Sequence, residues 1–130
     1  MRYSPDGKWI TCSPSYDIPD EDEIRVGLCV IDAGTGELHL LFNGECATLG
    51  FSSRADIRTQ NYAWLPDSRQ MLVTVGGWDA LARGYVARIW LVNLDGEARQ
   101  LGDGRVLTGS VNGRVVFIYK DEQVYRVEFD

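Results

Sequence analysis

Lysine is scarce in this chain, histidine occurs once, and no apolar run approaches the length of a membrane span. Each shortage removes a class of function. Thirteen basic residues face 19 acidic ones, for a formal net charge of -6, and the arginines are scattered rather than striped. Such a surface repels phosphate backbones, so nucleic acid is not an expected partner, and neither is a membrane. Three cysteines, Cys12, Cys29 and Cys46, fit no zinc spacing, and their odd number leaves one without an intrachain partner. The sole histidine, His39, sits between Leu38 and Leu40 with no nucleophile pattern nearby. There is no Gly-x-Ser-x-Gly elbow and no phosphate-binding glycine loop, since Gly102-Asp103-Gly104 reads as a turn. No catalytic residue, metal or cofactor is expected. The opening Met1-Arg2-Tyr3-Ser4-Pro5 has no apolar core behind its basic residue and does not read as a signal peptide.

What is present points to a turn-rich β protein. Hydrophobic residues make up 45% of the 130 and charged residues 25%, which is enough to build a buried core. Fourteen glycines punctuate short runs rich in valine and isoleucine. Cys12 and Cys29 lie inside such runs, where a reduced cysteine behaves as a small hydrophobe.

The runs repeat. Ser4-Pro5-Asp6-Gly7, Leu65-Pro66-Asp67-Ser68 and Ser110-Val111-Asn112-Gly113 are each followed by a basic residue and an apolar strand. Proline pre-sets the backbone for the second turn position, Asp or Asn suits the third, and glycine accepts the left-handed geometry that closes the turn. Val111 replaces proline in the third copy, which keeps the Asn-Gly pair. A second repeat lies downstream. Leu28-Cys29-Val30-Ile31-Asp32 and Ile89-Trp90-Leu91-Val92-Asn93 each run through a glycine turn into another strand, with one residue inserted near Gly34. Four short strands per unit, at a period of about 40–45 residues, are the mark of a β-propeller. Residues 71–75, 89–92 and 115–118 are nearly continuously apolar, as in sheets covered on both faces.

Tyr3-Ser4-Pro5-Asp6-Gly7-Lys8 and Trp64-Leu65-Pro66-Asp67-Ser68-Arg69 resemble the aromatic-x-Pro-Asp-Gly-Lys signature of TolB-like, WD-repeat-related propellers. Trp90-Leu91-Val92-Asn93-Leu94-Asp95-Gly96 resembles the third strand and following turn of the same family. The fold class expected is all-β, with antiparallel four-stranded meander blades of a β-propeller forming a partial ring. One partial domain spans 1–130: blade one about 1–42, blade two about 62–102, and an incomplete blade three about 105–130. Because about three blades cannot close a ring, self-association or a longer parent chain would complete it. The resemblance implies a periplasmic or extracellular setting and a role in protein association, without fixing the compartment of this chain.

In a meander, alternate connections emerge at opposite ends. The tight turns share one end. The other end receives residues 14–23, 43–61 and 76–85, which read as long loops. Long loops on a rigid scaffold are where binding usually resides, although loops also accept length cheaply. Trp78, Asp79, Arg83 and Tyr85 have the composition of a recognition surface or of a cap over the core. Asp17, Asp20 and Asp22 belong to an acidic cluster that lacks calcium-loop spacing and reads as a solvated loop. Arg54 and Arg58 flank Asp56, as a carboxylate site or as local ion pairs. The function expected is a non-enzymatic scaffold that binds a protein or small ligand through these loops. The rival is the non-catalytic gating propeller of a prolyl oligopeptidase-like hydrolase, whose triad would lie in a separate domain. A carbohydrate-active propeller would need acids on the innermost strands, and residues 62–64 and 106–108 supply no acid pair.

Overall fold

The computed structural model describes residues 2–12, 15–17, 24–44, 58–79 and 83–130. No helix occurs among them, and the strands form three antiparallel sheets, none closed on itself. The first sheet holds β1 (Arg2–Tyr3), β2 (Trp9–Cys12), β3 (Ser15–Asp17), β4 (Ile24–Asp32) and β5 (Leu38–Gly44). The second is the meander β6 (Arg58–Trp64), β7 (Gln70–Asp79), β8 (Gly84–Asn93) and β9 (Ala98–Asp103). The third is β10 (Arg105–Gly109), β11 (Val115–Lys120) and β12 (Gln123–Glu128). This is the all-β architecture expected, and it is compatible with a propeller-like arrangement of blades.

The three turns share a hydrogen bond from the N–H of the basic residue to the Asp or Asn two positions before it. In the first turn the Ser4 hydroxyl donates to Asp6 Oδ1 (2.6 Å), which also accepts the Lys8 N–H (3.0 Å). In the third, Ser110 donates to Asn112 Oδ1 (2.7 Å), which accepts the Arg114 N–H (3.0 Å). In the second, Asp67 Oδ1 accepts the N–H groups of Arg69 and Gln70 (2.9 and 3.1 Å). Gly7 and Gly113 close their turns at φ 75 and 74°, and Ser68 takes the same left-handed place at φ 57°. The strand-end turns match too. Asp32 N–H donates to Glu37 O, and Asn93 N–H to Glu97 O, so the first loop is one residue longer, as the insertion near Gly34 requires.

The sheets stack face to face with the second in the middle. Alternation along β7 sends Met71, Val73 and Val75 toward the first sheet, where they meet Leu28, Val30 and Leu41. Leu72 points the other way, into a core with Val106 and Val116 of the third sheet, and the buried Thr74 hydroxyl accepts the Val106 N–H at 2.7 Å. Two-sided burial is why this strand reads as a continuous apolar run. Each fully buried aliphatic side chain contributes about 1.5–3 kcal/mol. That outweighs exposed ion pairs such as Arg126–Glu128 (2.7 Å), worth about 0–1 kcal/mol. Cys29, 7% exposed, is buried as a hydrophobe would be.

The innermost strands are tied together. The Arg2 guanidinium on β1 donates to Thr108 Oγ1 (3.2 Å) and Gly109 O (3.3 Å) on β10. Gly109 lies so close to β6 that a Cβ there would sit 2.9 Å from Ala63 Cβ.

Candidate functional site

The three proline-type turns sit side by side. Asp6 N–H donates to Ser68 Oγ (3.0 Å), and a Cβ on Gly113 would lie 2.6 Å from the Leu65 carbonyl carbon. The opposite ends of the sheets therefore share the other side of the molecule, where the sequence places its binding residues.

Part of each expected long loop is strand. β7 and β8 pair without a break from Gln70↔Asn93 to Asp79↔Gly84, so the connection expected over residues 76–85 shrinks to 80–83. Gly76 and Gly77, at the start of that expected loop, have no positive φ and both are buried. β6 pairs with β7 only as far as Gly76, and β9 with β8 only as far as Arg88. The last pairs, Gly77↔Val86, Trp78↔Tyr85 and Asp79↔Gly84, project past both neighbours as a two-stranded ribbon. Tyr85 is 43% exposed, and Arg83 is exposed at the tip with φ 52°. For Trp78 and Asp79 the backbone alone is described.

In the first sheet, β2 and β3 pair with β4 in one common register, Cys12↔Cys29 and then Ser15↔Val26. Residues 15–17 of the loop expected over residues 14–23 are therefore strand, and Asp17 pairs with Ile24. Arg58 opens β6 opposite Gly76, so the inter-sheet loop expected over residues 43–61 ends in strand. Asp17, Arg58, Trp78, Asp79, Arg83 and Tyr85 thus share one end of the stacked sheets. Asp20, Asp22 and Arg54 lie outside the described residues. The second inter-sheet link is short, as the expected blade bounds of about 102 and 105 require. Gly104 alone separates β9 from β10, and the supposed Gly102-Asp103-Gly104 turn is one strand crossing between sheets. Gly104 (φ 142°) donates its N–H to Ala87 O, and a Cβ there would press on Ile89 and Tyr119 O, each at 3.1 Å.

The turn end holds something the sequence did not reveal, a cleft of about 430 Å³ between the first and second sheets. Val30, Leu41 and Leu94 line its apolar part, and Lys8, Arg69 and Asp95 its polar part. Trp9 meets His39 edge-on there, with ring centroids 5.8 Å apart and planes at 74°. His39, its side chain 43% exposed, also lies 3.9 Å from the Glu37 carboxylate. The signal was the basic residue after each turn, because stacking the repeats brings Lys8 and Arg69 into one cleft.

Two carboxylates have shifted proton affinity. The Ser4 hydroxyl and then the Lys8 N–H hold Asp6 below its ordinary 3.8, against a small penalty from burial. Burial pushes Asp67 up, but the Gln70 side chain and the N–H groups of Arg69 and Gln70 outweigh it, so it too lies below 3.8. Both acids are occupied as acceptors within their turns. Among the described residues no group of three or more His, Cys, Asp or Glu is placed to hold a metal ion.

Compared with known proteins, the chain matches no family model, no curated protein and no solved structure.

Proposed function

We propose that this chain is a non-enzymatic scaffold built of TolB-like propeller blades, which binds a partner protein through the ribbon end of its sheets. The observation that carries the reading is the β7–β8 ribbon, in which Trp78 opposes Tyr85 beyond the cover of β6 and β9, two residues from the exposed Arg83. Trp, Tyr and Arg supply most of the binding energy at protein interfaces, where large side chains pack at low entropic cost. The blade reading is supported by the same hydrogen-bonded turn opening three successive meanders, and by innermost strands that gather near Arg2. The scaffold reading is supported by Asp6 and Asp67, whose lowered proton affinity suits fixed acceptors and not general acids. Asp17 and Arg58 share the ribbon end through the backbones of β3 and β6 and are read as part of the same surface.

The test compares the chain with the double variant Trp78→Ala, Arg83→Ala. Proteins cross-linked to the intact chain in extracts of its source cells are identified, and both forms are then titrated against them. At least a tenfold loss of affinity is expected, with folding of the variant checked by far-ultraviolet circular dichroism and a cooperative melt. Unchanged affinity refutes the ribbon as the binding surface.

A further inference from the structure

The two outer sheets each present a face that the middle sheet buries. In the first sheet, Thr11 and Val30 face the second sheet, so alternation turns Ile10 and Ile31 the other way. Register extends these into one row across the sheet, Tyr3↔Ile10↔Ile31↔Leu38. Every member is apolar, and Tyr3 and Leu38 are 63% and 60% exposed. The turn repeat aligns this row with Trp64↔Met71↔Val92↔Ala98 of the second sheet. There Trp64, Met71 and Val92 are buried against the sheet that precedes them.

The third sheet carries the complementary surface. Val116 and Ile118 pack toward the second sheet, which leaves Phe117 and Tyr119 on the far face, 36% and 39% exposed. By the same repeat Phe117 stands where Leu72 stands in the second sheet, and Leu72 is buried against the sheet that follows. Val124, 59% exposed, pairs with Tyr119, while Arg126 opposite Phe117 is neutralised by Glu128 at 2.7 Å. One open face is thus the kind that receives a following sheet, and the other is the kind that supplies one.

We propose that a second copy of this chain docks the Phe117–Tyr119 face of its third sheet onto the Tyr3–Ile10–Ile31–Leu38 row of the first. The junction continues the interface already used twice inside the chain. Each copy carries both faces, and the proposed dimer closes through two such head-to-tail contacts that leave neither face in water. The ribbon ends stay free, so this contact stands or falls separately from partner binding.

Sedimentation velocity over a concentration series of the whole chain tests it. A species of twice the 14.6 kDa chain mass is expected. Leu38→Asp and Phe117→Asp should each weaken dimerisation at least tenfold, with folding checked by far-ultraviolet circular dichroism and a cooperative melt. Val111→Asp, in a turn and 94% exposed, is the control and should change nothing. Mixing the two defective variants separates the geometry from a symmetric contact. The Leu38→Asp copy keeps its third-sheet face and the Phe117→Asp copy keeps its first-sheet face, so together they form a one-contact dimer. A chain of single-copy mass at millimolar concentration overturns the proposal, as does a Leu38→Asp variant with undiminished affinity.

Discussion

Trp64 and Thr11 form a buried hydrogen bond between the first and second sheets, the indole Nε1 donating to the threonine Oγ1 across 2.8 Å. Thr11 is wholly buried and Trp64 nearly so, and the same hydroxyl donates to Met71 Sδ at 3.8 Å. The bond is polar, yet it sits within the apolar core that holds the two sheets together. It fixes how β2 and β6 lie against each other where aliphatic packing alone would tolerate sliding.

Thr11→Val preserves shape and removes the acceptor, leaving the indole N–H buried without this partner. The expected cost is about 1–3 kcal/mol in urea denaturation at constant slope. In the Thr11→Val background, Trp64→Phe should cost less than it does in the parent, because the stranded donor goes with the ring. Equal costs in both backgrounds would mean that the hydrogen bond contributes nothing to the junction.

The turn glycines separate two effects that usually come mixed. Gly7 and Gly113 have nearly the same φ, 75 and 74°, but a Cβ on Gly7 meets nothing within 4 Å while one on Gly113 meets Leu65 backbone at 2.6 Å. Gly7→Ala should cost only the left-handed penalty, about 1–2 kcal/mol. Gly113→Ala adds a clash that forces the third turn off the second, and should cost about 1–3 kcal/mol more. Matching midpoints for the two variants would refute tight stacking of those turns.

How much of this was legible follows from what each signal depends on. Turns depend on a few adjacent residues, so Pro5-Asp6-Gly7 and Pro66-Asp67-Ser68 announced themselves, and the apolar run of β7 announced a strand covered on both faces. The loop expected from residue 76 misled, because a glycine in the sequence does not by itself separate a turn from a strand position, and Gly76 and Gly77 lie in β7 without positive φ. The Arg2 bridge to Thr108 and Gly109 joins residues from different sheets, so no local pattern carries it.

Acid should weaken the fold through its turns. Asp6 and Asp67 have folded values below the 3.8 of the free carboxyl, so the folded state favours their charged form. Their contribution is complete above that value and is lost as the pH falls below it, through the lower folded values. Asn112 does the same acceptor work in the third turn without titrating. The double variant Asp6→Asn, Asp67→Asn should therefore stay folded at neutral pH and show a shallower loss of melting temperature between about pH 4 and pH 2. An acid limb as steep as the parent's would assign acid sensitivity to other groups.

The third turn also offers a stabilising change. Val111 occupies the place of Pro5 and Pro66 and is 94% exposed. The hydrogen bonds of that turn come from Ser110, Gly113, Arg114 and Val115, and none described comes from the Val111 N–H. Ser110 makes the same backbone bond to Val115 (2.8 Å) that Ser4 makes to Trp9 (2.8 Å) immediately before a proline, so its conformation already tolerates one. Val111→Pro then removes unfolded-state freedom without losing a donor, and should stabilise the chain by about 0.4–1 kcal/mol. Destabilisation instead would show that the third turn departs from the backbone path of the first two, which would undo the repeat equivalence that places Phe117 over Leu72.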